Sequence, residues 1–181
     1  VITGKMNGSK VEITCYWAGD SRCYMLDVNG LHQLTTDDLD GQDAMSNLSN
    51  DGVMTNVINA STSFEVHNKK LSFDSPCILL TATDGCFGYL NSPMEFEYLL
   101  TDSLIKAKNL HEWKIALNER MHDVTGDDYT LSVAICGFND FGEIQANYVK
   151  RNAYVADTYI NQTTDVNAMW EIYKKEYSTY L

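Results

Sequence analysis

The chain has 181 residues, 44% of them hydrophobic and 21% charged, with a formal net charge of −12. That length fits one domain, or one domain with a short appendage, and the apolar content can build a real core. The acidic balance argues against a nucleic-acid backbone or an anionic membrane as partner, because both are gripped by basic patches. No apolar run approaches the ~20 residues that span a bilayer, and the start shows no signal-peptide pattern, so a cytoplasmic location is expected. The 5 cysteines lack CxxC spacing, which points to reduced, mostly buried thiols rather than a disulfide framework or a zinc site.

In chain order, "VITGKMNGSKVEITCYW" reads as a pair of strands. Val11, Ile13, Cys15 and Trp17 share one face, and Glu12, Thr14 and Tyr16 the other. After Gly19-Asp20 the alternation resumes through Tyr24 and Leu26, and Asn29-Gly30 signals a hairpin turn before Leu31–Leu34. Residues Thr35 to Asn56 are small, polar and acidic, including Asp37, Asp38, Asp40 and Asp43. So long a stretch of weak pattern reads as a solvated flap. In "STSFEVHNKKLSF" strand character returns, with Asn68-Lys69-Lys70 placed to turn a hairpin. The apolar run in "PCILLTATDG" has the character of a strand buried on both faces.

Ser92 as N-cap, Pro93 at the first helical position and Glu95 as the closing member of a capping box predict a helix carrying Phe96, Leu99, Leu100 and Ser103. A second helix is predicted over His111–Val124, with a stripe of Trp113, Leu117, Met121 and Val124. The strand "YTLSVAICGF" follows Gly126-Asp127-Asp128. Past Phe138 two helical stripes appear, one from Phe141 through Ile144, Tyr148, Val155 and Tyr159, the other from Val166 to Tyr177 with Asp165 as N-cap. Neither sustains a heptad. Residues 139–181 therefore read as a helical extension packed on the domain or on a partner.

Three acidic positions share one context. Asp20 ends a strand at "AGDSR", Asp84 ends the buried strand at "LLTATDG", and Asp127 precedes a strand at "TGDDYTLSV". Each neighbours a glycine, which permits sharp turns and close approach. Each is equally an ordinary turn pair, its carboxylate bonding nearby N–H groups. If the strand ends meet at one edge, three carboxylates converge, and a hard divalent cation relieves their repulsion.

These residues resemble a family. "AGDSRCYMLDVNGLHQLTTDD", "CILLTATDGCFGYL" and "GDDYTLSVAI" occur in the order and at the intervals of the later motifs of metal-dependent protein phosphatases, the PPM or protein phosphatase 2C-like family. Those motifs are G-D-S-R in a hairpin followed by L-T-x-D, then S-D-G or T-D-G, then D-N before an apolar strand. The resemblance covers about residues 1–138. It implies an α+β fold, a layered β-sandwich flanked by helices. It also implies hydrolysis of phosphoserine or phosphothreonine in phosphoprotein substrates by a metal-bridged water, with two or three Mg²⁺ or Mn²⁺ ions in the complete domain. Carried over by position, Asp84 and Asp127 are implied metal ligands and Asp20 an outer one, with Gly85, Gly19 and Asp128 as their neighbours and Arg22 structural.

The family's earlier motifs, an arginine near the start and D-G-x-G-G, have no match here. The expectation is a domain incomplete at its amino-terminal side, whose exposed sheet edge favours self-association. Asp128 stands where the family has Asn, and Thr83 where Ser is commoner. Cys86 lacks a phosphate loop and reads as a buried thiol, and the four histidines lack ligand spacing. The alternative function is a catalytically inactive phosphatase-like regulatory or protein-interaction module.

Overall fold

The computed structural model describes residues 1–41, 43–49, 52–60 and 63–181. The expected strand pair is β1 (Ile2–Asn7) and β2 (Lys10–Trp17), antiparallel with Met6 opposite Val11. With β5 (His67–Asp74) on the other side of β2 they form a sheet of order β1-β2-β5. The second sheet, of order β4-β3-β6-β7, contains β3 (Arg22–Asp27), β4 (Gly30–Gln33), β6 (Cys77–Ala82) and β7 (Leu131–Cys136), all antiparallel. The α-helices among the described residues are α1 (Ser46–Ser49), α2 (Pro93–Lys106), α3 (Leu110–Val124), α4 (Phe141–Val155), which runs on as a π turn to Ile160, and α5 (Val166–Tyr177).

Alternation along the central strands builds two cores. Val11, Ile13 and Cys15 from β2 meet Cys23, Met25, Cys77 and Leu79 between the sheets. The opposite faces of β3 and β6, with Tyr24, Leu26, Ile78 and Leu80, meet the helices. The apolar run ending in Thr83-Asp84-Gly85 is thus buried on both faces, as its composition implied. The fold is α+β, two antiparallel sheets flanked by helices.

The helices begin where their caps dictate. Ser92 accepts from the Glu95 amide, while the Glu95 carboxylate reaches Asn91 N at 2.9 Å rather than the cap residue itself. Asn109 caps α3, which starts one residue ahead of the expected His111, and of the predicted stripe only Val124 stays exposed. Asp140 and Asp165 cap α4 and α5. Ile144, Tyr148, Tyr173 and Tyr177 join the same core as α2, so residues past Phe138 pack on the domain.

Several local expectations fail. Strand character in "STSFEVHNKKLSF" starts only at His67, and its first two residues, Ser61 and Thr62, lie outside the described residues. Asn68-Lys69-Lys70 is no turn but lies within β5, which pairs with β2 continuously from His67 to Asp74. The link at Gly19-Asp20 is not a hairpin either, since β2 and β3 belong to different sheets and the chain crosses between layers there. Of the four flap acids Asp40 is exposed, as expected, but the other three are not solvated. Asp37 has a side chain 2% exposed, Asp38 is bonded to His67, Gly19 and Asn56, and Asp43 accepts from the Met45 and Ser46 amides at the start of α1 and from Trp170. Gln42, Asn50 and Asp51 of the same flap lie outside the described residues.

Candidate active site

The end of β6 and the start of β7 are drawn together by hydrogen bonds beyond the strands. Thr83 N donates to Thr130 O at 3.1 Å, and Thr130 N donates to Thr83 Oγ1 at 2.9 Å. Asp84 then opens a 3₁₀ turn, Asp84–Cys86, in which Gly85 N donates to Asp84 Oδ1 at 2.9 Å. Gly85 is required by close approach: a Cβ there would lie 2.3 Å from the Asp128 carbonyl oxygen. The T-D-G and G-D-D motifs, far apart along the chain, therefore touch through their backbones.

Asp127 sits on the loop leading to β7. Its amide donates to Thr125 Oγ1 at 3.2 Å, and its Oδ1 accepts from Asp128 N at 2.7 Å. Asp84, Asp127 and Asp128 are all exposed. Asp20 approaches from the crossing between the sheets. Burial pushes its carboxyl above the usual range, and the nearby charges of Asp84 and Asp37 push the same way. Gly19 takes φ +85, and its N–H donates to Asp38 Oδ2 at 2.9 Å, which fixes the corner that carries Asp20. Register completes the placement, because Arg22 pairs with Ala82 and Ala82 with Leu131. The fold thus gathers Asp20, the Asp84 turn and the Asp127-Asp128 loop at one end of the second sheet.

Behind this cluster lies Arg22. Its guanidinium donates to Asp37 through Nε at 2.9 Å and Nη2 at 2.6 Å, and it lies over the Phe87 ring at 4.1 Å. Asp37 also accepts from Gln33 and from Asn47 of α1. Sequence reasoning missed Asp37 by assigning it to solvent, although Leu34-Thr35-Thr36-Asp37 matches the L-T-x-D motif that carried the resemblance. Cys86 donates its thiol to Thr130 O at 3.3 Å, and burial pushes its pKa up to about 11, which favours the thiol over the thiolate.

Divalent ions such as Mg²⁺ and Mn²⁺ need several oxygen ligands in one shell. Among the described residues, no three His, Cys, Asp or Glu side chains are gathered closely enough to hold one. The carboxylates here form an acidic corner, and by themselves they do not complete a metal centre.

No family model matches the chain, and no curated protein matches it. Solved structures do. The serine/threonine phosphatase of S. agalactiae matches with a TM-score of 0.54 and 18% identity, over 72% of this chain and 56% of that one. A C. elegans sex determining protein matches with a TM-score of 0.52 and 12% identity, over 76% of this chain and 39% of the other. The catalytic domain of the phosphatase PstP, in complex with 2 manganese ions, matches more weakly, with a TM-score of 0.45, 18% identity, and 72% and 54% of the two chains covered. The chain therefore spans about half the length of the phosphatases it matches. Two antiparallel sheets, their flanking helices and the S. agalactiae match together identify a protein phosphatase 2C-like fold.

Proposed function

We propose that this chain forms part of a metal-dependent protein serine/threonine phosphatase, to which it contributes Asp84 and Asp127 as ligands of a Mg²⁺ or Mn²⁺ centre, with Asp20 as the outer carboxylate. The observation that carries the proposal is the junction of Thr83-Asp84-Gly85 with Asp127-Asp128 beside Asp20. Turn chemistry accounts for one such aspartate, whereas the Asp84 charge acting on the half-buried Asp20 is a repulsion that a cation between them would relieve. When bound, the ions would supply an activated water and offset phosphoryl charge. The chain's own residues do the positioning. Gly85 lets the two loops touch, Gly19 sets the Asp20 corner, and Arg22 with Asp37 anchors the segment behind it.

A second reading is a phosphatase-like module without catalysis. It draws on the ligand set, since among the described residues no three metal-binding side chains are gathered in one group. Manganese titration followed by electron paramagnetic resonance, with hydrolysis of p-nitrophenyl phosphate, separates the two. Under the first reading Mn²⁺ binds and the ester is cleaved once this chain is part of the complete domain, and Asp84→Asn there weakens metal binding by about tenfold or more, a loss typical of a disturbed metal site. Mn²⁺ binding that is unchanged by Asp84→Asn and Asp127→Asn would refute the ligand assignment.

A further inference from the structure

Strands β6 and β7 meet with a cysteine at the same end of their ladder. Cys77 opens β6, Cys136 closes β7, and the two stand directly opposite one another in the antiparallel register. Hydrogen bonding at the other end of the ladder fixes what kind of pair they form. Thr83 N donates to Thr130 O, and bonded pairs recur at every second position, which makes Cys77 and Cys136 a bonded pair too. Such a pair holds its Cα atoms about 5.5 Å apart, within the span of about 4.4–6.8 Å that a disulfide bridges. Residues directly opposite project to one face of a sheet. Here that face is the core between the sheets, where Cys77 is buried and Cys136 packs at its margin. Beyond the pair the two segments stay close, since a Cβ on Gly137 would lie 2.8 Å from Ser75 Cβ.

The two thiols are unequal. Burial pushes both up, Cys77 to about 12, and the neighbouring Cys136 adds to the rise at Cys77 while Cys77 opposes it at Cys136. The other four cysteines are buried, whereas Cys136 is half-buried and lines a cleft of about 520 Å³ with room for a small disulfide. Cys136 is therefore the attacking thiol and Cys77 the resolving one. The Cys136 thiolate attacks one sulfur of a small-molecule disulfide, and the other half leaves as a thiolate that takes up the proton Cys136 gave up. Cys77 then loses its proton and attacks the Cys136 sulfur, expelling the second half, which takes that proton. Two protein thiols are oxidised by two electrons, and the small disulfide is reduced to two thiols. Cys15 and Cys23 are sealed in the same core at 0% and 2% exposure, and Cys86 is engaged with Thr130 O.

We propose that Cys77 and Cys136 form a reversible disulfide, a redox lock at one end of the β6–β7 ladder whose other end carries Asp84 and the Asp127 loop. The inference is independent of any phosphatase chemistry. Its probe is a glutathione redox buffer, taken from fully reduced to fully oxidised, in which the folded chain is equilibrated, alkylated and mapped by peptide mass spectrometry. A single Cys77–Cys136 crosslink is expected, reversed by dithiothreitol. It should exceed the Cys136–glutathione adduct by about tenfold or more, because Cys77 attacks at intramolecular concentration. Cys77→Ala should leave Cys136 as that adduct instead, and Cys136→Ala should leave Cys77 unmodified. The crosslink closes the chain from Cys77 to Cys136, so oxidation should raise the urea unfolding midpoint, a rise absent from Cys136→Ala. Both cysteines remaining thiols in fully oxidised buffer, a stable Cys136 adduct in the unaltered chain, or a Cys15–Cys23 crosslink would each overturn the proposal. So would a crosslinked chain with an unchanged midpoint, because the bond would then lock nothing.

Discussion

Replacing Arg22 by Met removes the cation from a pair in which both side chains are 2% exposed. Asp37 would keep Gln33 Nε2 at 3.1 Å and Asn47 Nδ2 at 2.8 Å but no counter-charge. Breaking a buried pair from one side costs about 3–5 kcal/mol, because an uncompensated charge stays in low dielectric. The lost stacking on Phe87 adds about 1 kcal/mol more. For a domain of this size each kcal/mol moves the thermal midpoint by ~2–4 °C, so Arg22→Met should lower Tm by roughly 8–24 °C. Urea unfolding followed by circular dichroism gives the energy directly. The double variant Arg22→Met with Asp37→Leu should recover most of the loss, since no lone charge remains. A cost below about 1 kcal/mol for Arg22→Met, the range of an exposed pair, would refute the buried-pair reasoning, as would a double variant no more stable than the sum of its singles.

Gly85→Ala places a methyl group 2.3 Å from the Asp128 carbonyl oxygen, where backbone must shift, and should cost about 1–3 kcal/mol in urea unfolding. Trp170→Phe deletes the 2.9 Å bond to Asp43 Oδ2 and should cost about 1 kcal/mol, with faster amide exchange at Met45 and Ser46, whose N–H groups donate to Asp43 Oδ1. His32 has its two ring nitrogens at 2.7 Å from the Glu176 carbonyl and 3.2 Å from Asp27 Oδ1. Burial opposes its charge, but those partners outweigh burial and raise its pKa above the usual value. A raised histidine pKa stabilises the fold fully below the unfolded value of ~6.5, and that contribution is lost as pH rises through the folded value. Stability measured from about pH 6 to about pH 9 should therefore fall in the native protein and fall less in His32→Gln; identical slopes would contradict the charged-pair reading.

Local chemistry sufficed for much of the fold. Strand alternation at Val11–Trp17, the buried run before Asp84, and the caps at Ser92, Asp140 and Asp165 are each set by residues within one turn or one strand of one another. The placement of Asp20, Asp84 and Asp127 beside strand ends was also legible, because glycine next to a strand end leaves a mark in sequence. What needed the tertiary structure was every partner distant along the chain. Asp37 looked solvated until β3 brought Arg22 against it, and Asp43 until α5 brought Trp170. The crossing at Gly19-Asp20 looked like a hairpin because pairing depends on which strand β3 meets, and that choice is made by the packing of β6 rather than by the turn. Composition and spacing report what a residue is and what stands beside it. Burial, counter-charges and free edges depend on what folds back against it.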